Sequence, residues 1–180
     1  MSCKEIKDHK TMYIKRISNG SWKDGIYYYK NPECTIVHRE DGPAIERFNG
    51  DKEWYLNGKC HREDGPAIKL ANGDKKWVLR GKLHREDGPA IEYISGHKEW
   101  YINGKLHRED GPAVEGANGH KEWWLNGERH RKDGPAIEYT NGIKFYYLND
   151  RPLLKDKYIQ YINQKTICSV KKTKILKRCT

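Results

Sequence analysis

The residue types used in acid–base and metal chemistry recur in this sequence as one short run. His-Arg-Glu-Asp-Gly-Pro-Ala begins at His38, His61, His84 and His107, and a variant with Lys in place of Glu begins at His130. A histidine beside two carboxylates could act as a general base or a metal ligand. A catalytic site, however, is one place with perturbed chemistry, whereas a run repeated every 23 residues performs one task many times. We therefore expect local ion pairs and caps here, with no catalytic residue and no metal ligand.

The run belongs to a 23-residue repeat with five copies over residues 38–153. Each copy contains two short β-rich segments, and the same spacing separates Trp54, Trp77, Trp100 and Trp123, with Tyr146 in the fifth place. Asn-Gly follows the first segment in four copies and the second in three. It is a strong hairpin signal, because a type I′ turn needs positive φ at both central residues. The repeat therefore predicts stacked β-hairpins, with Asp-Gly-Pro as the corner between them.

A two-residue turn at Asn49-Gly50 would place Ile45 opposite Trp54 in the first hairpin. Side chains alternate between the two faces of a strand, so this register fixes which residues share a face. The predicted faces are Ile45, Trp54 and Leu56 on one side and Glu46, Glu53 and Tyr55 on the other.

Two aromatic columns follow from this register. The tryptophan column pairs with an aliphatic column as the core of the sheet; stacking on bases or a sugar is the alternative. The aliphatic column is Ile45, Ile68, Ile91, Val114 and Ile137. The second column, called the aromatic stripe below, is Tyr55, Tyr101, Trp124 and Tyr147, and Val78 interrupts it. Because one layer of sheet cannot bury both faces, the aromatic stripe is the predicted binding face for a protein partner or a second copy.

The two ends of the chain differ from the repeats. Residues 1–37 are predicted to form an irregular cap with a degenerate hairpin, since an open sheet edge needs an atypical end piece. Residues 154–180 are predicted to form a capping helix and a basic tail. Tyr158, Tyr161 and Ile162 are spaced to share one helical face.

Charge is concentrated at the C-terminal end. Residues 38–153 contain 20 basic and 20 acidic residues, whereas residues 154–180 contain seven Lys, one Arg and one Asp. The tail is a candidate contact for phosphates of nucleic acid or acidic lipid; a solvated tail is the alternative. The candidate polyanion-binding residues are Lys171, Lys172, Lys174, Lys177 and Arg178.

Composition indicates an intracellular protein without a transmembrane segment or a cofactor. No apolar stretch approaches the roughly 20 residues of a membrane span, and the first ten residues are too charged for a secretory signal. The five cysteines lack Cys-x-x-Cys spacing, which disfavours a structural zinc site and a disulfide framework and predicts free thiols.

The repeat resembles the MORN family (membrane occupation and recognition nexus). The resemblance rests on Trp100-Tyr101-Ile102-Asn103-Gly104-Lys105-Leu106-His107 and on Asp110-Gly111, and it covers about residues 27–153. This chain departs from the family by placing Trp three rather than two residues before Asn, and by its Asp-Gly-Pro-Ala segment. Its His-Arg-Glu-Asp-Gly-Pro-Ala form is similar to repeats in proteins of large DNA viruses and phages. The resemblance implies scaffolding, oligomerisation and acidic-lipid contact, not catalysis.

Together these features predict an all-β protein, an elongated single-layer antiparallel sheet or twisted ribbon of stacked hairpins with an N-terminal cap and a short C-terminal helix. The predicted function is a non-enzymatic viral scaffold or interaction protein located in the host cytoplasm or the virion. Nucleic-acid or acidic-membrane binding through the basic C-terminus is the alternative.

Overall fold

A computed structural model of the chain describes residues 4–8 and 10–164, with side chains from residue 12 onward. The described residues are mostly β, and one short helix, α1, covers residues 155–164. This confirms the predicted all-β class of antiparallel hairpin repeats with a short C-terminal helix. The chain divides into two compact units, Met1–Lys105 and Leu106–Thr180. Within the described part, no helix has the length and apolar character needed to cross a membrane.

The first unit contains an open antiparallel sheet whose strands follow one another along the chain. Its strands in order are β1 (Lys4–Asp8), β2 (Lys10–Ile17), β3 (Gly25–Tyr29), β4 (Ile45–Arg47), β5 (Lys52–Glu53), β8 (Ile68–Lys69), β9 (Lys75–Lys76), β12 (Ile91–Glu92) and β13 (Lys98–Glu99). Two further hairpins pair β6 (Tyr55–Leu56) with β7 (Lys59–Cys60) and β10 (Val78–Leu79) with β11 (Lys82–Leu83). Strands β14 (Tyr101–Ile102) and β15 (Lys105–Leu106) follow.

The second unit repeats this arrangement and ends in the helix. Its main strands in order are β16 (Val114–Glu115), β17 (Lys121–Glu122), β20 (Ile137–Glu138), β21 (Lys144–Leu148) and β22 (Arg151–Leu153). The additional hairpin pairs β18 (Trp124–Leu125) with β19 (Glu128–Arg129). The first four copies therefore each supply two main-sheet strands and one small second hairpin. In the fifth copy, β21 runs through both hairpins and pairs with β20 and with β22.

The hairpin β4–β5 does not have the predicted register. Its turn contains three residues, because the Arg47 N–H donates to the Asp51 carbonyl at 2.9 Å and the Gly50 N–H donates to the Arg47 carbonyl at 3.0 Å. Only the glycine has a positive φ, of 101°. Consequently Ile45 lies opposite Glu53, and the predicted pairing of Ile45 with Trp54 is wrong. We call this turn, and its equivalents in the other copies, the tip turn.

The second Asn-Gly, which is present in copies one, three and four, forms the turn that the dipeptide predicts. Asn57 and Gly58 have φ values of 50° and 75°, and they connect Leu56 directly to Lys59 across the small hairpin. Positive φ at both central residues is the type I′ geometry. We call this turn, and its equivalents, the corner turn.

The core of the repeats is thin and consists of small aliphatic side chains. The alanine of each Asp-Gly-Pro-Ala segment is fully buried, at Ala44, Ala67, Ala90, Ala113 and Ala136. The aliphatic column adds buried Ile45, Ile91, Val114 and Ile137, whereas Ile68 is half-buried. The four repeat tryptophans are also half-buried, so their predicted place in the core is wrong. A larger cluster of Tyr27, Tyr29 and Ile45 lies beside the N-terminal strands.

Residues 1–37 contain more regular structure than the sequence indicates. The strand expected around Ile26-Tyr27-Tyr28-Tyr29 is β3, but β1 and β2 pair as a hairpin that the sequence analysis did not predict. Tyr13 and Ile17 of β2 pack against the cluster of Tyr27, Tyr29 and Ile45.

Candidate interaction surface

The corner of each copy is organised around the arginine of its His-Arg-Glu-Asp run. In the third copy, the Arg85 Nε donates to Asp87 at 2.8 Å, and Nη1 donates to the Pro89 carbonyl at 3.2 Å and to Glu92 at 2.9 Å. The guanidinium carbon also lies 4.0 Å from the ring centroid of Trp77, within cation–π range. One side chain thus connects its own corner to the preceding hairpin.

The same arrangement recurs in other copies with nearly constant distances. Arg39, Arg108 and Arg131 donate to Asp41, Asp110 and Asp133 through Nε, each at 2.9 Å. Their Nη1 atoms donate to Glu46, Glu115 and Glu138 at 2.8–2.9 Å. Arg39 and Arg131 lie over Tyr28 and Trp123 respectively, at 4.1 and 3.8 Å from the ring centroids. The tryptophan column is therefore a platform for arginines.

Close packing of this arginine explains the glycine of Asp-Gly-Pro. A Cβ added at Gly88 would lie 2.9 Å from the Arg85 guanidinium carbon. Side chains other than hydrogen would displace the guanidinium from Asp87 and Glu92. From the sequence this glycine was expected only to permit a bend; in the structure an arginine also packs closely against it.

The histidine of each corner fixes the corner turn of its own copy. The Asn103 N–H donates to the His84 Nδ1 at 3.1 Å, and equivalent bonds reach His38, His61, His107 and His130 at 3.0–3.2 Å. An Nδ1 that accepts a hydrogen bond carries no proton, so the neutral ring has its proton on Nε2. In the third copy, Nε2 lies 3.6 Å from Glu86.

The described residues contain no group of three or more His, Cys, Asp or Glu side chains placed to hold a metal ion. Cys60 is a free thiol, and burial raises its pKa to about 12, which keeps it protonated and unreactive near neutral pH. Cys34 is disulfide-bonded, so the expectation of free thiols is wrong at that position.

The aromatic stripe lies on the small hairpins rather than on the outer face of the main sheet. Tyr55 and Trp124 begin the strands β6 and β18, Tyr101 begins β14, and Tyr147 lies in β21. All four side chains are half-buried. The predicted stripe therefore consists of partly exposed rings, one in each of four copies.

Polar atoms in the stripe are held by glutamates two residues earlier in the chain. The Tyr101 hydroxyl donates to Glu99 at 2.8 Å, and the Trp124 Nε1 donates to Glu122 at 2.9 Å. Burial, followed by this hydrogen bond and the charge of Glu99, raises the pKa of Tyr101 well above its ordinary value. The rings are therefore fixed in orientation and remain neutral.

The structure also exposes large apolar side chains that the sequence analysis did not select. Ile94 in a tip turn is 73% exposed, and so is Trp22 in the loop before β3. Phe48, in the first tip turn, is about half exposed. A sequence signal existed, because hydrophobic residues occupy turn positions that polar residues usually fill.

Helix α1 is attached to the fifth corner through one tyrosine. The buried Tyr158 hydroxyl accepts the Gly134 N–H at 2.8 Å and donates to the Arg131 carbonyl at 3.1 Å, while its ring lies 4.8 Å from that of Tyr146. Ile162 is half-buried and Tyr161 is exposed. The candidate polyanion-binding residues Lys171, Lys172, Lys174, Lys177 and Arg178 lie outside the described residues.

Comparison of the chain with protein-family models and with curated proteins found no match. The resemblance to the MORN family therefore stays a hypothesis that rests on the residues of the repeat.

Proposed function

We propose that this chain is a non-enzymatic repeat scaffold or interaction protein of viral origin that works inside the cell. It binds a protein partner, or a second copy of itself, through the aromatic stripe of Tyr55, Tyr101, Trp124 and Tyr147. The repeats supply a regular array, and the stripe supplies the contact area.

The observation that carries this proposal is the state of the stripe side chains. The four side chains are half-buried and so partly accessible, while Glu99 and Glu122 hold the polar atoms of Tyr101 and Trp124 in place. Such rings lose little conformational entropy on binding, and Tyr, Trp and Arg dominate the energetics of protein interfaces. Arg129 adds a guanidinium 4.6 Å from the Trp124 ring centroid.

The corner supports a non-enzymatic role. Catalysis needs an acid, base or nucleophile that can reach a substrate. In the third copy, Arg85 already bonds Asp87 and Glu92, and the His84 Nδ1 is occupied by a backbone N–H. Because this arrangement recurs from copy to copy, it supports a structural task in each.

Sedimentation velocity over a wide concentration range tests self-association, and quantitative affinity capture with the purified full-length chain tests binding of another protein. Tyr101→Ala is expected to weaken either interaction by at least about tenfold, because truncating a central aromatic anchor typically has that effect. Tyr101→Phe keeps the ring and is expected to retain binding.

Trp22→Ala provides the control, since it removes a larger and more exposed ring outside the stripe. Equal loss in the Trp22 and Tyr101 variants would show that the contact is not made by the stripe. A strict monomer whose captured proteins are the same for wild type and Tyr101→Ala would contradict the proposal.

A second proposal concerns the basic C-terminus, which carries a net charge of +7 over residues 154–180 beside a neutral repeat array. Lysines that neutralise phosphates release counterions, so binding to nucleic acid or acidic vesicles should weaken steeply with salt. Deleting residues 165–180 leaves α1 intact and is expected to reduce both affinity and salt slope. Unchanged affinity and slope after the deletion would exclude the tail.

A further inference from the structure

The second corner lacks a carboxylate that the other corners contain. In four copies the corner arginine bonds a glutamate seven residues later, at Glu46, Glu92, Glu115 and Glu138. The second copy has Lys69 at this position. As a result, the Arg62 Nη1 is buried and has no hydrogen-bond partner among the described residues.

Arg62 keeps its contacts with aspartate and tryptophan, but its Nη1 also lacks the bond to the proline carbonyl that the arginine makes in the other four copies. Arg62 bonds Asp64 through Nε at 2.7 Å and through Nη2 at 3.3 Å, and its guanidinium carbon lies 4.2 Å from the Trp54 ring centroid. The Lys69 Nζ lies 5.6 Å from the same centroid. Two cationic groups therefore lie over one ring, and the Asp64 carboxylate bonds one of them.

Neighbouring strands bring further positive charge to Lys69. Lys52 on one side and Lys75 on the other are its direct partners in the ladder. Directly paired residues have Cβ atoms about 5 Å apart on the same face, and like charges in such pairs repel. In the third copy this repulsion is absent, because Glu92 lies between Lys75 and Lys98.

From this cluster we infer a binding site for a phosphate dianion, either free or as a phosphomonoester. The oxygen atoms would take the position of the missing glutamate carboxylate, accept a hydrogen bond from the Arg62 Nη1 and lie among Lys52, Lys69 and Lys75. Guanidinium groups bind phosphate oxygens in the geometry that they use for carboxylates. The local excess of cationic groups favours a dianion over a carboxylate or a phosphodiester, which each carry one charge.

The proposal is independent of the function of the aromatic stripe, because the site binds a small anion whether or not a partner binds elsewhere. Inorganic phosphate is titrated into the full-length chain at constant ionic strength, with binding and stoichiometry measured by calorimetry. One phosphate per chain is expected for the wild type. O-phosphoserine is expected to compete, whereas dimethyl phosphate and acetate are not.

Two reciprocal substitutions locate the site. Lys69→Glu restores the pattern of the other copies and is expected to weaken phosphate binding at least about tenfold, with an unfolding midpoint equal to or above that of the wild type. Glu92→Lys recreates the cluster around Arg85 between Lys75 and Lys98. It is expected to raise the stoichiometry to two.

Each alternative outcome has a definite meaning. Unchanged phosphate binding in Lys69→Glu, together with an unchanged stoichiometry in Glu92→Lys, would overturn the site. Competition by acetate or dimethyl phosphate as strong as that by O-phosphoserine would overturn the preference for a dianion. Because the Glu92→Lys result is a gain of binding, the test does not depend on the folding of the Lys69 variant.

Discussion

The tip turn and the corner turn are built from the same dipeptide, but different contacts hold them. In the second tip turn, the Asn72 Oδ1 accepts the Asp74 N–H at 3.0 Å, a bond between residues two apart. In the third corner turn, the Asn103 N–H donates to the His84 Nδ1, a bond between residues 19 apart. The first turn is closed by its own side chain and the second by the corner of the repeat.

The second copy shows which of these contacts decides the backbone conformation. Its corner turn has Arg80 where the other copies have asparagine, and Arg80 still has a φ of 51°. Its N–H donates to His61 at 3.1 Å, as in the other copies. The long-range hydrogen bond therefore imposes a left-handed conformation on a residue that disfavours it. Corner geometry comes from the network, whereas tip geometry comes from local sequence.

Of the substitutions considered at the two kinds of turn, loss of the corner arginine should lower the free energy of unfolding the most. Arg85→Ala removes three hydrogen bonds and the cation–π contact with Trp77, and it leaves Glu92 without its partner. We expect a loss of about 3 kcal/mol in the free energy of unfolding, measured by urea denaturation. Lys82→Ala, at an exposed position at the end of the preceding copy, should change stability by less than about 0.5 kcal/mol. Equal effects would contradict a central role for the arginine.

Removing the histidine should affect the corner turn more than the same change affects a tip. His84→Ala leaves the Asn103 N–H without its acceptor, and we expect a loss of about 2 kcal/mol in urea denaturation. His97→Ala is the matched change in a tip turn, where the imidazole bonds only Glu99 at 2.8 Å. Its expected loss is about 0.5 kcal/mol. A larger loss in the His97 variant would reverse the assignment of local and long-range control.

Replacing Arg80 should stabilise the protein, because arginine disfavours the left-handed backbone conformation that it has at this position. Arg80→Asn keeps the backbone bond to His61 and introduces a residue that tolerates positive φ, so the free energy of unfolding should rise by about 1 kcal/mol. The reverse change, Asn103→Arg, should lower it by a similar amount. Chemical denaturation of both variants measures the difference. If both changes are neutral, the strain at position 80 is relieved by contacts that asparagine lacks.

Sequence reasoning succeeded where one pattern has one structural solution. Five registered copies of alternating residues predicted antiparallel hairpins. Where a second Asn-Gly is present, in copies one, three and four, it forms the type I′ turn that this dipeptide favours. It failed at Asn49-Gly50, where the asparagine side chain bonds the Asp51 N–H and a three-residue turn forms instead. That one-residue difference shifted the register of the hairpin and with it the expected partner of Ile45.

The contacts of the corner could not be derived from spacing alone. Ion pairs were expected within the His-Arg-Glu-Asp run, and Arg85 pairs with Asp87. Its second carboxylate partner, Glu92, lies outside the run. Stacking of Arg85 on Trp77 of the preceding hairpin depends on the three-dimensional bend at Asp-Gly-Pro, which sequence periodicity does not specify. For the same reason the tryptophans were assigned to the core, although they support arginines at its edge.

The corner carboxylates make the network sensitive to strong acid. The hydrogen bond and charge of Arg85 lower the pKa of Asp87, and Asp64 and Asp110 are lowered in the same way by Arg62 and Arg108. A carboxylate whose pKa is lower in the folded state stabilises the fold at pH values above its unfolded-state pKa of about 3.9. That stabilisation is lost as the pH falls through the folded-state pKa. Asp87→Asn should therefore be less stable than wild type at neutral pH, and the difference should shrink as the pH falls below the unfolded value of about 3.9. Urea denaturation at several pH values measures this convergence; a constant difference would contradict it.

The smallest effect is expected at a tip, where the side chain varies and the backbone contact does not. Ile94 is exposed, and its N–H donates to Asp74 of the preceding copy at 2.8 Å, a bond that any residue except proline can make. Ile94→Ser should change the free energy of unfolding by less than about 0.5 kcal/mol. Asp74→Ala removes the acceptor and should cost about 1 to 2 kcal/mol in the same urea experiment. If the serine variant were the less stable one, the tips would depend on side-chain packing, and their variation between copies would need another explanation.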